Sequence, residues 1–355
     1  MNISILPTVR HITPLTNIRR ERRLPVPGTV SARVNERVQA QDVVAEAEPA
    51  RRRIFIDVAR GLGVSEAQAE RHMRKQAGDR VDAGDVIAGP VGMARRTLRA
   101  PAGGRIVRVS EGRVLLETLG QPIQLRAGFP GLVVSSDGVQ SVIIEAAGGL
   151  IQGVWGNGKQ EFGVMRIAVE GAGEPLTAEM LDIDARGAIL VAGACFDAEP
   201  LRQAAELRVR GLVFGGFNSQ LIPVANQLPY PVLVLDGFGE RAINAPAYEI
   251  LISNTGREVM LDARPIRAYD DHRPEVIIPH AAGRRPDPPS EVVPLAAGVR
   301  VHVLRPPHEG AVGLVKELPP QAITFPSGVM ARCAIVDIEG VGEASIPLAN
   351  LEIIS

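Results

Sequence analysis

The sequence predicts a multi-domain chain in which all-β modules flank a small parallel α/β unit. Three observations carry that expectation. The 355 residues exceed what one hydrophobic core organises, so two to four domains are expected. Aromatic residues make up only 3% beside 37 Gly and 28 Pro, so the cores must be built from Val, Ile, Leu and Ala between short strands and tight turns. The hydrophobic spacing alternates near the start, switches to continuous apolar runs between helical stretches from Gly187, and returns to short strands at the end.

With 45% hydrophobic and 22% charged residues the chain has the composition of a folded protein, and a net charge of -1 gives no global attraction to nucleic acid or anionic membrane. The one local asymmetry is basic: Arg10, Arg19, Arg20, Arg22 and Arg23, then Arg51, Arg52 and Arg53. These arginines, from Arg19 on, are the candidate nucleic-acid contacts, and residues 1–23 read as a basic tail, with a solvated tail as the plainer explanation. Cys195 and Cys333 stand far apart, which offers neither a disulfide framework nor a thiol-rich metal site. No apolar run of signal-peptide or membrane-spanning length occurs, so a cytoplasmic protein that does not cross a membrane is expected.

Residues 24–127 form the first module. Val26-Pro27-Gly28-Thr29-Val30 opens strand-like alternation, and the phrase Val38-Gln39-Ala40-Gln41-Asp42-Val43-Val44-Ala45 returns in related form as Gly78-Asp79-Arg80-Val81-Asp82-Ala83-Gly84-Asp85-Val86-Ile87-Ala88. A helix is expected over 65–76, capped by Ser65. Gly78-Asp79-Arg80-Val81 with Gly84-Asp85-Val86-Ile87, followed by Ala100-Pro101-Ala102-Gly103-Gly104-Arg105-Ile106, resembles the barrel-sandwich hybrid of biotinyl and lipoyl domains, a fold also inserted in bacterial RNA polymerase subunits and in efflux adaptors. The resemblance implies the fold over about a hundred residues and no particular function. Carrier domains need a lysine on a tight hairpin, whereas this chain has Gly92-Met93-Ala94-Arg95-Arg96-Thr97-Leu98, and arginine cannot form that amide. The module therefore reads as a docking platform.

Residues 128–170 read as a β extension. Within it Gly153-Val154-Trp155-Gly156-Asn157-Gly158-Lys159 lacks the length and terminal hydroxyl of a phosphate loop and reads as a turn around a packed Trp. Residues 171–264 read as the α/β domain: strands at 188–192, 211–214, 231–235 and 258–261 alternate with helices at 199–207, 219–228 and 247–253. Three successive strands end in glycine-rich loops, which places Gly193, Asp197, Gly215, Gly216, Asn218, Ser219, Asp236, Gly237, Gly239 and Glu240 at one edge. Ligands of open parallel sheets sit at such carboxyl ends, so these are the candidate ligand-binding residues, with a metabolite or metal as ligand; the plain reading is tight turns and helix caps. Cys195 fits a buried core-edge thiol better than an activated one, because no histidine lies between His72 and His272.

Residues 265–290, with Arg285-Pro286-Asp287-Pro288-Pro289, read as an extended connector whose His272 and His280 could bind metal only if the fold happened to bring ligands together. Residues 291–355 repeat strand, turn, glycine and strand. Val299-Arg300-Val301-His302-Val303, the loop ending at Gly310, Gly313, and Pro347-Leu348-Ala349-Asn350-Leu351-Glu352 resemble the small SH3-like KOW-type barrel of ribosomal proteins and of transcription elongation factors of the NusG kind. The resemblance covers about sixty residues and implies RNA or protein contact, with protein at least as well served by so few basic residues.

No catalytic signature and no cofactor motif is present, and the expected function is a non-catalytic binding or scaffold protein attached to transcription or translation machinery through its β modules. Two alternatives remain open: a ligand-binding protein or enzyme acting at the glycine-rich strand ends, and a self-assembling structural protein that forms homo-oligomers. Protein partners are expected first, nucleic acid through the local basic segments second, and no membrane.

Overall fold

The phrase read twice in the sequence is folded twice. In the computed structural model, which describes residues 7–48, 52–118, 122–266, 272–280, 286–290 and 292–355, strand accounts for 45% and helix for 14% of a mixed, β-rich architecture of several sheets. Arg37–Val38 and Val43–Ala47 are joined by a turn in which Asp42 accepts from the Gln39 amide at 2.7 Å, and Arg80–Val81 and Val86–Val91 by one in which Asp85 accepts from the Asp82 amide at 3.1 Å. The preceding turns match as well: Asn35 and Gly78 both take positive φ, at 70° and 102°, the region that Asn and Gly tolerate best.

The correspondence extends through every strand. Leu125 faces Ala45 in one copy as Leu98 faces Ala88 in the other, and Val133 faces Ile144 as Ile106 faces Leu116. A β-bulge follows at the equivalent place, after Val133 and after Ile106, and Glu145 faces Arg19 as Glu117 faces Arg53. The second copy, residues 52–118, lies in sequence between the paired strands Val43–Ala47 and Ile123–Arg126 of the first. In the second copy the equivalent strands, Val86–Val91 and Arg96–Arg99, are joined by a short hairpin whose tip residue Met93 is fully exposed. One β unit thus sits where the other has its hairpin tip, and it has a core of its own around Val58, Leu62, Ile87, Ile106, Val114 and Leu116. Its helices are short, Val58–Leu62 and Glu66–Arg71, the latter held by a Ser65–Gln68 capping box and ending before the expected residue 76.

This arrangement corrects the expected boundaries. Ile12–Arg23 is no tail but a twelve-residue strand pairing along Ser141–Gln152. Residues 131–152 are no separate extension, because the strands Gly131–Ser136 and Ser141–Gln152 complete the outer copy and share the core of Ile18, Val38, Phe129 and Ile144. The connector also contributes structure: Glu275–Pro279 is a strand wedged between Ser141–Gln152 and Glu258–Asp262. In Ile12–Arg23 the run of charged residues from Arg19 to Arg23 hides the strand from an apolar-pattern reading, although Ile12 and Ile18 are buried in cores.

Ser141–Gln152 continues the outer copy into an eleven-stranded mixed sheet. Its far end is the expected parallel set, Ala188–Cys195, Gly211–Phe217 and Val232–Phe238 in sequential order, with Gln160–Ile167 also parallel beside Ala188–Cys195. Glu258–Asp262 is antiparallel to Gln160–Ile167 and does not close the parallel run. The first two strands of the sequential set are buried along their whole length, as their unbroken apolar sequence requires. Helices Ala198–Glu206 and Ile222–Gln227 pack on one face, and Ala245–Ser253 on the other.

Residues 300–354 form an antiparallel set in the order Leu351–Ile354, Arg300–Val303, Val312–Glu317, Cys333–Ile338, Gly342–Pro347, with the 3-10 turn Leu348–Asn350 before the last strand. Val9–Arg10 pairs in parallel with Leu351–Ile354, so the start of the chain is woven into its end. No helix among the described residues is long and apolar enough to cross a membrane.

Candidate functional site

The three glycine-rich strand ends do lie side by side, with Ala194 facing Gly216 and Gly216 facing Gly237. What fills the crevice is the chain. A Cβ on Gly193 would stand 2.4 Å from the Glu174 amide nitrogen, one on Gly215 2.4 Å from that of Ile243, and one on Gly216 2.5 Å from the Gly239 carbonyl oxygen. The crossing segments are pinned by backbone bonds, Gly193 N to Glu174 O at 3.0 Å and Ile243 N to Ala172 O at 2.8 Å. These glycines are needed because two backbone segments pass directly over the sheet.

The polar members divide accordingly. Asp197 is exposed at the start of Ala198–Glu206 without a side-chain cap bond, Asn218 accepts from the Gln220 amide, and Ser219, Gly239 and Glu240 are exposed, with Gly237 half-buried. Asp236 turns the other way and is 5% exposed. Burial pushes the Cys195 thiol up to about 12 despite the contact of its Sγ with the Asp197 carbonyl at 3.3 Å, so it is an inert core thiol. In the Trp155 turn, Asn157 donates to the carbonyls of Ala225 and Tyr230 and Lys159 to that of Asn226, and the Trp155 ring stacks on Phe217 at 5.8 Å.

Asp236 leads to a polar centre that sequence reasoning missed. Arg10 is fully buried: Nη1 donates to Leu235 O at 2.8 Å and lies 3.6 Å from Asp236 Oδ1, Nε lies 3.2 Å from Glu352 Oε2, and Nη2 meets His302 Nδ1 at 3.0 Å. A guanidinium only donates, so His302 Nδ1 must accept and its proton rests on Nε2. Burial, reinforced by Arg10 and Arg241, lowers His302 to about 3. Burial raises the Asp236 carboxyl against the opposing pull of Arg10 and of two donors from Asn244, at 2.9 and 2.8 Å. Glu352 also receives Arg273 at 3.0 Å, and Arg241 pairs with Glu309. The network ties the first strand, the parallel sheet and the antiparallel set of residues 300–354 together. Its only signal in the sequence was charge inside apolar strands, as in Arg10, His302 and Glu352.

A second centre contains Asp262, His272 and Glu275, whose candidate ligand atoms lie within 4.8 Å of one another. These residues could face a cation, but guanidinium groups already hold the carboxylates. Arg20 bonds Glu275 through Nε and Nη2 at 2.5 and 2.6 Å, while Asp262 accepts from Arg264 Nη2 at 2.7 Å and Gln160 Nε2 at 2.6 Å. Burial would raise Asp262, yet bonds from His272 and Arg264 hold it below the ordinary carboxylate range. The donor set is that of an ion-pair cluster and fits a divalent cation poorly, because each oxygen would have to exchange a partner.

The basic candidates are dispersed by strand geometry. Arg20 is spent on Glu275, and Arg22 is buried, lowered to about 10 by that burial, and donates to Arg126 O and Gln160 Oε1. Arg19 pairs with Glu145 and Arg23 with Glu21 at half-exposed positions. Alternation along one strand therefore splits the expected basic arm between interior and surface. Arg51 lies outside the described residues; Arg52 and Arg53 are exposed on Arg52–Asp57, an edge strand of the inserted copy.

No protein-family model matches the chain. No curated protein matches it by sequence.

Proposed function

We propose that this is a non-catalytic binding or scaffold protein that presents its inserted β unit to a partner. The observation that carries the reading is the placement of residues 52–118: a unit with its own core, seated at the hairpin-tip position of a second copy of the same fold. A body that carries a self-cored module serves presentation, and backbone of residues 172–174 and 239–243 crosses closely over Gly193, Gly215 and Gly216 at the glycine-rich strand ends, which weighs against a ligand there.

Each copy is read as a barrel-sandwich hybrid, and residues 300–354 as a KOW-type barrel. The five-strand order with a 3-10 turn before the last strand supports the second reading. Partners are accordingly expected in the transcription or translation machinery, an expectation that rests on likeness of fold alone. The test is affinity capture with the full chain and with a chain in which residues 49–121 are replaced by a two-residue turn, both after nuclease treatment. Reproducible partners held by the full chain and lost from the shortened one support the reading; identical capture profiles overturn it.

A further inference from the structure

Charge is distributed unevenly between the inserted copy and the remainder of the chain. Residues 52–118 hold thirteen Lys and Arg against eight Asp and Glu, a net +5, while the rest holds 26 against 32, a net -6. Twelve of those thirteen basic residues are exposed, Lys75 alone being half-buried. A near-neutral whole conceals a basic module on an acidic body.

Much of that charge falls on one sheet face. Cross-strand register places Arg80, Arg105, Glu117 and Arg53 in one row, Arg108, Leu115 and Phe55 in the next, and Arg113 opposite Asp57 in a third. Alternate residues, Val81, Ile106, Val114 and Leu116, point into the core, so the arginine rows face solvent. Phe55 stands among them with its residue 77% exposed. Arg53 Nε approaches Glu117 at 3.6 Å and Arg105 Nε donates to Gly78 O at 3.3 Å, and both arginines stay exposed.

The outer copy supplies an internal control, since it has the same register and the same bulge. Where the inserted copy has Phe55, Arg105, Arg108 and Arg113, the outer copy has Glu21, Leu132, Ser135 and Ser141. The fold does not require an aromatic ring and three more arginines at these places. An exposed ring costs hydrophobic free energy, and its position within a grid of cations matches a ligand with π-faces and negative charges at regular spacing.

The geometry points to this face, Phe55 with Arg53, Arg80, Arg105, Arg108 and Arg113, as a binding site for single-stranded nucleic acid. The arginines meet phosphates, and Phe55 stacks on a base. An acidic peptide would meet the arginines equally well but leaves the ring without a stacking partner. The inference rests on the reading of the inserted unit as a presented module and adds a nucleic-acid face to the protein contacts proposed for it.

The test uses the full-length protein and fluorescein-labelled 20-mers of oligo-U RNA, oligo-dT DNA and duplex DNA, with poly-glutamate as competitor. Binding of a single strand is expected to exceed that of the duplex, with log K falling against log salt with a slope of about -3, as four to five neutralised phosphates require. RNA preferred over DNA, or the reverse, identifies the source within the same chemistry. Phe55→Ala is expected to weaken single-strand binding roughly tenfold, and Phe55→Glu with Arg105→Leu, Arg108→Ser and Arg113→Ser, the outer copy's own residues, to abolish it with the fold retained. Should the quadruple variant not fold, photocrosslinks of 4-thiouridine RNA to the wild type decide the matter: crosslinks at residues 52–57 and 104–113 support the site, and crosslinks confined elsewhere overturn it. No binding at low salt, poly-glutamate competing as strongly as unlabelled oligo-U, or Phe55→Ala binding like wild type also overturns it. Such a failure leaves the nuclease-resistant capture of protein partners untouched, so the two readings fall separately.

Discussion

Arg10 Nη2 donates to His302 Nδ1 at 3.0 Å, a bond that joins the first described strand to the strand Arg300–Val303 and requires the imidazole to stay neutral. The consequence is a pH dependence of known sign. His302 is lowered from 6.5 to about 3 in the fold, first by burial and then by Arg10 and Arg241. Between those values the unfolded chain binds a proton that the folded chain refuses, so this contribution is complete above pH 6.5 and is lost as pH falls toward 3. We predict that the urea midpoint drops between pH 7 and pH 5 and that His302→Gln flattens the drop. Asp236, raised by burial, works in the opposite sense, so the comparison is between the two proteins. Equal slopes in both would remove His302 from the account.

Removing the guanidinium should be costly. Arg10→Met leaves Asp236 and Glu352 buried with one fewer cation, and breaking such a pair costs about 3–5 kcal/mol. Adding Asp236→Leu to Arg10→Met should cost less than the two single changes together, because the pair leaves as a unit. Denaturant titration of the four proteins gives the coupling; strict additivity contradicts a shared network.

At Gly215 the expectation comes from the crossing backbone. A Cβ there would stand 2.4 Å from Ile243 N and 2.6 Å from Ala242 C, and neither can yield without moving the 239–243 segment. Gly215→Ala is predicted to destabilise by about 3 kcal/mol, the upper end of ordinary overpacking, whereas Ser219→Ala at the exposed loop should fall within about 0.5 kcal/mol of wild type. A neutral Gly215→Ala would mean that the crevice is open after all.

Both thiols are buried, and burial pushes each pKa upward, Cys195 to about 12. Native protein at pH 8 should therefore resist iodoacetamide, and urea-unfolded protein should take up two alkyl groups. Intact-mass spectrometry over an hour reads this directly, and rapid labelling of the native chain at Cys195 would restore the activated-thiol reading.

Apolar periodicity announced what it could. The runs 188–192, 211–214 and 231–235 are strands because an unbroken apolar segment must be covered on both faces, and their order and direction follow from the helices between them. The repeated phrase around Asp42 and Asp85 announced two equal turns, since an Asp that caps its own turn needs no distant partner. The three glycine-rich strand ends lie side by side, as the sequence led one to expect, with Asp236 on the last of them.

Long-range pairing lay beyond such reading. Ile12–Arg23 carries five charged side chains and is nonetheless a strand inside a sheet, because Glu145, Glu275, Gln160 and the Arg126 carbonyl, all remote in sequence, satisfy its arginines. Likewise, glycines that permit a tight turn and glycines that permit a second backbone to cross overhead are written with the same letter, and only coordinates show the 2.4 Å approaches at Gly193 and Gly215. Local chemistry sets turns, caps and buried strands; which polar groups neutralise one another, and whether a crevice is open or filled, depends on segments hundreds of residues apart meeting in space.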